Sequence, residues 1–278
     1  MDNSCISKMK IPPCLENVQK TLLLPLWGRA EASRMQEPVI VDLKAIELIN
    51  SMDYDFTKFR QNLDFFHIIT LAVRAHEFDS LINNFLKNHE TASIVNIGAG
   101  LDTTFSRISG SNVHWYNIDM PDVIELRKKL IPETTEMEEI PKSMFDESFV
   151  YDIKEPDNTL FIIGGVLMYF DESEVRRFFD LISTKFKGAE VVFDVLSPFG
   201  IHYFNRLLKK TGFDNAQMKW GTKNYNDIEC LNQSLKIVER YPFYSRVKKR
   251  NTWPLTTRLK IFVSNLLSMA GIVHLQIN

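Results

Sequence analysis

Cysteine is scarce in this chain, and its three copies, Cys5, Cys14 and Cys230, are too scattered for a disulfide framework or a paired zinc-ligand motif. A reducing cytoplasm is the compartment that fits. Long apolar runs are missing too. The longest, such as "TLFIIGGVLMYF", fall far short of the roughly 20 residues a membrane span needs. The charged, proline-containing N-terminus has no signal-peptide core. Charge of one sign is not in excess: 33 basic against 35 acidic residues leave a formal net charge of -2. No global field would therefore recruit nucleic acid or an anionic membrane surface. Histidines are few, and His67 and His76 stand too far apart on one helix to share a ligand face, so no metal site is expected. Internal repeats, low-complexity tracts and heptad arrays are absent from the sequence. What is present is the composition of a soluble protein: 278 residues, 45% of them hydrophobic, enough for one large domain or one domain with a cap. The partner this composition suits is a small molecule.

Two textures divide the chain near residue 90. The first part shows no strand alternation and several helical stretches. In "EPVIVDLKAIELINSMDYDF", Pro38 is placed to open a helix with Val41, Ile46, Ile49 and Met52 as its buried stripe. A longer helix is expected from Leu63 to Lys87, with Phe66, Ile69, Val73 and Phe78 toward one side. After Thr91, short apolar runs alternate with helical patterns, the signature of α/β units around a mostly parallel sheet. "SIVNIG", "NVHWYNID", "EMEEI", "NTLFIIGG" and "GAEVVFDVL" read as strands, the third at an edge and the fourth central. "PDVIELRKKLI" and "DESEVRRFFDLISTKF" read as amphipathic helices, the second capped by Asp171 or Ser173 and stopped by Gly188. Beyond Ser197 we expect a helix near 201–210, a strand near 235–241, a helix near 255–269 and a last strand in "GIVHLQIN". A substrate-side insertion would occupy roughly 197–255.

The chemistry concentrates in "SIVNIGAGLD", Ser93 to Asp102. Gly98 and Gly100 after a first strand would let the backbone approach a ligand closely, and a following helix would offer unpaired amides. A tight structural turn explains the same glycines. The dinucleotide fingerprint wants a third glycine where this chain has Thr103, preceded by Asp102. A carboxylate there would repel a pyrophosphate. It suits a cationic ligand, or it caps the next helix. Asp119 ends the second strand about 20 residues beyond the turn, where a Rossmann-like sheet places an acid for ribose hydroxyls. These acids favour a cationic, phosphate-free nucleoside, which describes S-adenosylmethionine.

Eight stretches in order, "TLLLPLWGRAEAS", "MDYDF", "VRAHEFD", "VNIGAGLDT", "WYNIDMPDVIELRKKLIPE", "SMFDESF", "GGVLMYF" and "VVFDVLSP", resemble the leucine carboxyl methyltransferase family. The similarity is greatest to its bacterial branch of O-methyltransferases linked to polyketide biosynthesis, and it runs from about Thr21 to Pro198. The resemblance implies a class I, Rossmann-like fold with a seven-stranded sheet, a helical cap over residues 1–90 and a methyltransferase domain over 91–278. S-adenosylmethionine would be the methyl donor. Carried over by motif, Arg74 would meet the methionine carboxylate, as a guanidinium can with two parallel hydrogen bonds. Gly98 and Gly100 would pass beneath the methionine part, and Asp119 would hold the ribose. Asp146 would face the adenine amino group between the apolar walls Met120 and Phe145. Where the family usually carries an acid after its fourth strand, this chain has Gly164.

Methyl transfer from a sulfonium is an in-line displacement that the protein promotes by orientation and exclusion of water. A carboxylate acceptor is already ionised at neutral pH and needs no base. A hydroxyl acceptor would be helped by one, for which His76, His202 and Tyr169 are candidates. Tyr169 and Tyr203 are candidate acceptor-pocket residues. Trp27, Phe56, Phe59, Phe199, Tyr203, Phe204 and Trp220 are either ordinary core or walls of an apolar pocket. The family's eukaryotic members act on a protein C-terminus, whereas its polyketide branch implies a small acceptor. Two other readings stay open: a protein of this fold that binds the cofactor without turnover, and an NAD-dependent oxidoreductase.

Overall fold

The computed structural model describes residues 9–10, 17–108, 112–154, 158–248 and 252–278. Its main sheet has seven strands: β1 (Ala92–Ile97), β2 (Val113–Asp119), β3 (Met137–Pro141), β4 (Thr159–Ile163), β5 (Glu190–Leu196), β6 (Leu235–Pro242) and β7 (Ala270–Ile277). They lie in the order 3-2-1-4-5-7-6. β7 is antiparallel to both neighbours, and all other pairs are parallel. The strands fall within a residue or two of those the apolar runs suggest, with β3 at an edge and β4 in the centre.

Successive side chains of a strand point to opposite faces, and here both faces are covered. Ile94, Leu160, Ile162 and Val192 belong to one core cluster, whereas Val95, Phe161, Ile163, Val191 and Phe193 belong to the other. That is why the central strands read as unbroken apolar runs.

Among the described residues, besides a single helical turn at Asn17–Lys20, eight helices flank the sheet: α1 (Leu23–Ser33), α2 (Leu43–Ser51), α3 (Thr57–Asn62), α4 (Phe65–Lys87), α5 (Pro121–Leu130), α6 (Glu172–Lys185), α7 (Pro198–Thr211) and α8 (Leu255–Leu266). The N-terminal helices pack through Leu23, Trp27, Phe59, Phe66, Ile69, Val73 and Phe78 into the cluster that contains Ile94 and Ile162. Helix α6 covers the opposite face through Val175, Phe178, Phe179 and Ile182. Asp171, not Ser173, caps α6 by accepting the Glu174 amide at 3.1 Å. Gly188 lies two residues beyond the helix's last cap, in a left-handed turn. Among the described residues, no helix is long and apolar enough to cross a membrane.

The N-terminal part departs from the sequence reading in three ways. Pro38 does not open a helix. Helix α2 starts at Leu43, because Asp42 supplies the cap by accepting the Ala45 amide at 2.8 Å. Its stripe shifts accordingly: Ile49 is buried, Val41 lies outside the helix and exposed, and Met52 is buried beyond its end. Met9–Lys10 and Met52–Asp53 pair as two short parallel strands where only helices were expected. The third difference is α1 and α3, which the periodicity did not delimit. Pro25 sits within the first turn of α1, where its missing N–H removes no helical bond. At the other end of the chain, α8 stops at Leu266, short of 269.

Candidate functional site

The turn after β1 is built for backbone close to a ligand. Gly98 (φ +64°) and Gly100 (φ +47°) both adopt the left-handed region that costs other L-residues energy. A Cβ on Gly98 would lie 2.4 Å from Cγ2 of Val166, and one on Gly100 would lie 3.3 Å from Leu22.

Five of the turn's amides are already engaged. Gly98 and Ala99 N–H donate to the Ile118 carbonyl at 2.8 and 3.2 Å, and Asp102 N–H donates to that of Ala99. Gly100 N–H donates to Oδ2 of Asp119 at 2.8 Å, and Thr104 N–H to Oδ2 of Asp102 at 3.1 Å. The helix expected after the turn is reduced to one short 3-10 turn, Thr104–Ser106. Asp102 also accepts the Thr104 hydroxyl at 3.0 Å, so its side chain closes the start of that turn. Anion-binding loops work through unpaired amides, and these five have none to offer. A phosphate-free ligand is the one the turn suits.

The carbonyls of the turn are held from below. Arg127 donates to the Gly100 and Asp102 carbonyls at 3.1 and 2.7 Å, and to Glu139 at 2.7 Å. Glu139 accepts from Asn117 at 3.0 Å, and Asn96 donates to both Asn117 and Asp102. From the cap side, Arg29 donates to the Leu101 carbonyl at 3.1 Å and to Asp42 at 2.8 Å. Arg107 bridges Asp42 and Asp79. Burial works against the charge on Asp42, but Arg29 and Arg107 hold its carboxyl below the ordinary range.

Over this turn lies a cavity of about 320 Å3 at the C-terminal ends of β1, β2, β4 and β5, the end where open α/β sheets bind ligands. It gathers Arg74, Gly98, Gly100, Asp102, Asp119, Met120, Gly164 and Tyr169 from the sequence-based candidates. The Asp119 oxygens accept from Gly100 and Met120 N–H at 2.8 and 2.7 Å. Burial outweighs those bonds and pushes the Asp119 carboxyl up to about 6. Arg74 Nη1 stands 3.3 Å from Asp194. Tyr169 donates to the Thr21 hydroxyl at 3.4 Å, joining the sheet side to the cap.

Three candidates fall outside the lining. Phe145 is half-buried and packs edge-on against Phe170, with ring centroids 4.9 Å apart. Asp146 is exposed and caps a short turn by accepting the Ser148 amide at 2.9 Å. Tyr203 touches the cavity's lining through His67, whose Nε2 is 2.7 Å from its hydroxyl, and through Phe204. Of the aromatic residues considered as walls, Phe204 lines the cavity, Trp27, Phe56, Phe59 and Trp220 are core, and Phe199 is exposed.

Two lining residues escaped the sequence reading. His67 is singled out by the sequence only as a histidine too far from His76 to share a metal. It is buried, it lines the cavity, and its Nδ1 accepts from Asp64 N–H at 3.1 Å. Burial holds its imidazole below the ordinary range despite nearby Asp64. Asp194 is an acid inside the apolar buried run Val191–Leu196, which was the available signal.

An α/β sheet ordered 3-2-1-4-5-7-6, with β7 antiparallel, a glycine turn after β1 and an acid ending β2, defines a class I methyltransferase. The family model of leucine carboxyl methyltransferase matches residues 23–183, more than half of the chain. The chain belongs to that family and is an S-adenosylmethionine-dependent methyltransferase. It is 29% identical over 247 residues to the tetracenomycin polyketide synthesis O-methyltransferase TcmP of Streptomyces glaucescens, covering 86% of this chain and 90% of that one. It is 27% identical to the S-adenosyl-L-methionine-dependent methyltransferase dpfgK of Gibberella zeae, covering 86% of each. In fold it is similar to magnesium protoporphyrin IX methyltransferase from Synechocystis PCC 6803 with bound SAH. That match has a TM-score of 0.50 and 9% identity over 85% of this chain and all of that one.

Proposed function

We propose that this chain transfers a methyl group to an oxygen of a small molecule, and that the oxygen belongs to a carboxylate. S-adenosylmethionine supplies the methyl group as an electrophile on a sulfonium. The residues present fit that cofactor. In this reading Asp119 accepts from the ribose hydroxyls, Arg74 meets the methionine carboxylate, and Gly98 and Gly100 keep the wall below free of side chains. Asp119 ends β2 opposite Pro141 of β3 and Met120 follows it, so in this reading adenine passes Met120 toward Phe145 and Asp146. The described helices before residue 90 act as a cap over this site, with Thr21, Leu22 and Pro25 at its inner surface. Phe204, Leu207, Leu208, Met218 and Phe243 form the acceptor side, drawn from the 197–255 insertion.

The observation that carries the carboxylate reading is the absence of an uncommitted base among the described lining residues. His67 has both ring nitrogens engaged, Nδ1 with Asp64 N–H and Nε2 with Tyr203. Asp102 is spent on Asn96 and Thr104, Asp119 serves the ribose in this reading, and Asp194 faces Arg74 and the Gly165 N–H rather than the acceptor side. A carboxylate acceptor arrives ionised and needs none of them. The chain's task is then to exclude water and hold the nucleophile in line. The kinship with TcmP, an O-methyltransferase of polyketide synthesis, supports a small acceptor.

The test supplies methyl-labelled S-adenosylmethionine to a native extract and treats the labelled product with mild alkali. A methyl ester releases its label, whereas an ether retains it and would overturn the carboxylate reading. Calorimetric titration with S-adenosylmethionine, S-adenosylhomocysteine (SAH) and NAD should show binding of the first two alone. Arg74→Ala should weaken both by roughly 10-fold, as the loss of a charge-assisted hydrogen bond implies. Unchanged affinity would remove the Arg74 assignment.

A further inference from the structure

We infer that Asp194 binds the ammonium group of the cofactor's methionine part, forming with Arg74 a two-charge receptor for an α-amino acid zwitterion. The inference rests on the proposed role of Arg74. Asp194 is 3% exposed and lines the cavity. The parallel pairing of β4 and β5 ends with Ile163 opposite Phe193. Gly164 and Asp194 are therefore the next positions across that pair, on strands roughly 4.8 Å apart. The end of β4 presents no side chain. A Cβ built on Gly164 would meet only Phe78, at 3.8 and 4.0 Å, which is ordinary contact distance, so the position is open. The acid of this wall sits one strand over.

Its bonding leaves it ready for a second cation. Oδ1 accepts from Gly165 N–H at 2.6 Å, and Oδ2 meets Arg74 Nη1 at 3.3 Å. Charge-assisted pairs usually close to about 2.8 Å, as Arg127 and Glu139 do at 2.7 Å. A carboxylate offers about four acceptor positions, and these two contacts occupy half of them. A buried charge with one loose partner is costly. An amino acid zwitterion carries an ammonium and a carboxylate on the same carbon. Set against this pair, it places its cation on the buried Asp194 and its anion on the half-buried Arg74, so each charge gains a partner. Asp194 could instead serve only to hold Arg74 and the Gly165 turn. That structural role would act on every ligand alike.

The experiment is calorimetric titration of the full chain with three probes. They are SAH, its deamino analogue, and 5'-methylthioadenosine, which lacks the amino acid part. In the unsubstituted protein the deamino analogue should bind 10- to 100-fold more weakly than SAH. In Asp194→Asn, SAH affinity should fall by a similar factor, the gap between SAH and its deamino analogue should shrink to about 2-fold, and 5'-methylthioadenosine should bind as before. The pair Gly164→Glu with Asp194→Asn, which moves the carboxylate back across one strand, should recover SAH affinity to within about 5-fold. Equal loss for all three probes in Asp194→Asn, or an unsubstituted protein that does not distinguish SAH from the deamino analogue, overturns the inference. The second comparison needs no variant and so survives a failure of Asp194→Asn to fold. An unsubstituted protein that binds none of the probes overturns the cofactor placement itself, and this inference with it.

Discussion

Replacing Asp119 by alanine is expected to weaken SAH binding about 100-fold. Hydrogen bonds to a charged group contribute about 1.5–3 kcal/mol each, and in the proposed placement this carboxylate receives the ribose. The substitution also releases Gly100 N–H, which Asp119 holds at 2.8 Å. The pH dependence is distinctive. With the carboxyl at about 6, the ionised acceptor prevails at pH 7.5 and is lost as pH falls through 6. Below that, affinity should drop by up to roughly 10-fold per pH unit. The stability of the unliganded protein moves oppositely. This acid holds its proton more tightly folded than unfolded, so its favourable contribution is present at about pH 4 and is lost as pH rises through 6. Asp119→Asn should flatten both dependences. A calorimetric series between pH 5 and 8 that finds constant affinity in the unsubstituted protein would sink the assignment.

Arg127→Ala should cost about 3–5 kcal/mol of folding stability, the range for breaking a buried ion pair by removing one partner. The side chains of Arg127 and Glu139 are 1% and 0% exposed. Glu139 already has one oxygen, Oε2, without a hydrogen-bond partner. Burial pushes its carboxyl up despite Arg127, and without the guanidinium it would be left with Asn117 alone. Urea denaturation measures the effect, and a loss below about 1 kcal/mol would show that the pair does not brace the fold. Arg127→Met combined with Glu139→Leu should regain much of the stability, because an apolar pair can replace a buried ionic one. It should not regain SAH affinity, because the Gly100 and Asp102 carbonyls would remain without their donor.

The main sheet was legible because its strands are short, fully buried runs between turn residues, and such runs need no distant partner to be recognised. The cap was less so. Pro38 carries a strong local helix-start signal, yet Asp42 takes the cap while Arg29 and Arg107, distant in sequence, neutralise it. The glycine turn and Asp119, singled out by spacing, and Arg74, singled out by its motif, all line the cavity. His67 could not be told from a packed histidine, since its place in the cavity depends on how α4 crosses the sheet. Asp194 was visible as an acid in "VVFDVL". Its partnership with Arg74 and its level with Gly164 follow from strand register, which one strand's sequence does not specify.

The spent amides of the glycine turn bear on how the enzyme behaves among other nucleotides. A cell's adenine nucleotides and dinucleotides share adenosine with S-adenosylmethionine and are recognised elsewhere through their phosphates. Here the Gly98, Ala99, Gly100, Asp102 and Thr104 amides answer to the protein's own oxygens, and Asp119 adds a carboxylate beside them. A phosphate entering this turn would have to give up its water and find no donor among them. At these five amides the backbone itself therefore favours a phosphate-free adenosine ligand over ATP or NAD, before any side chain of the acceptor pocket takes part.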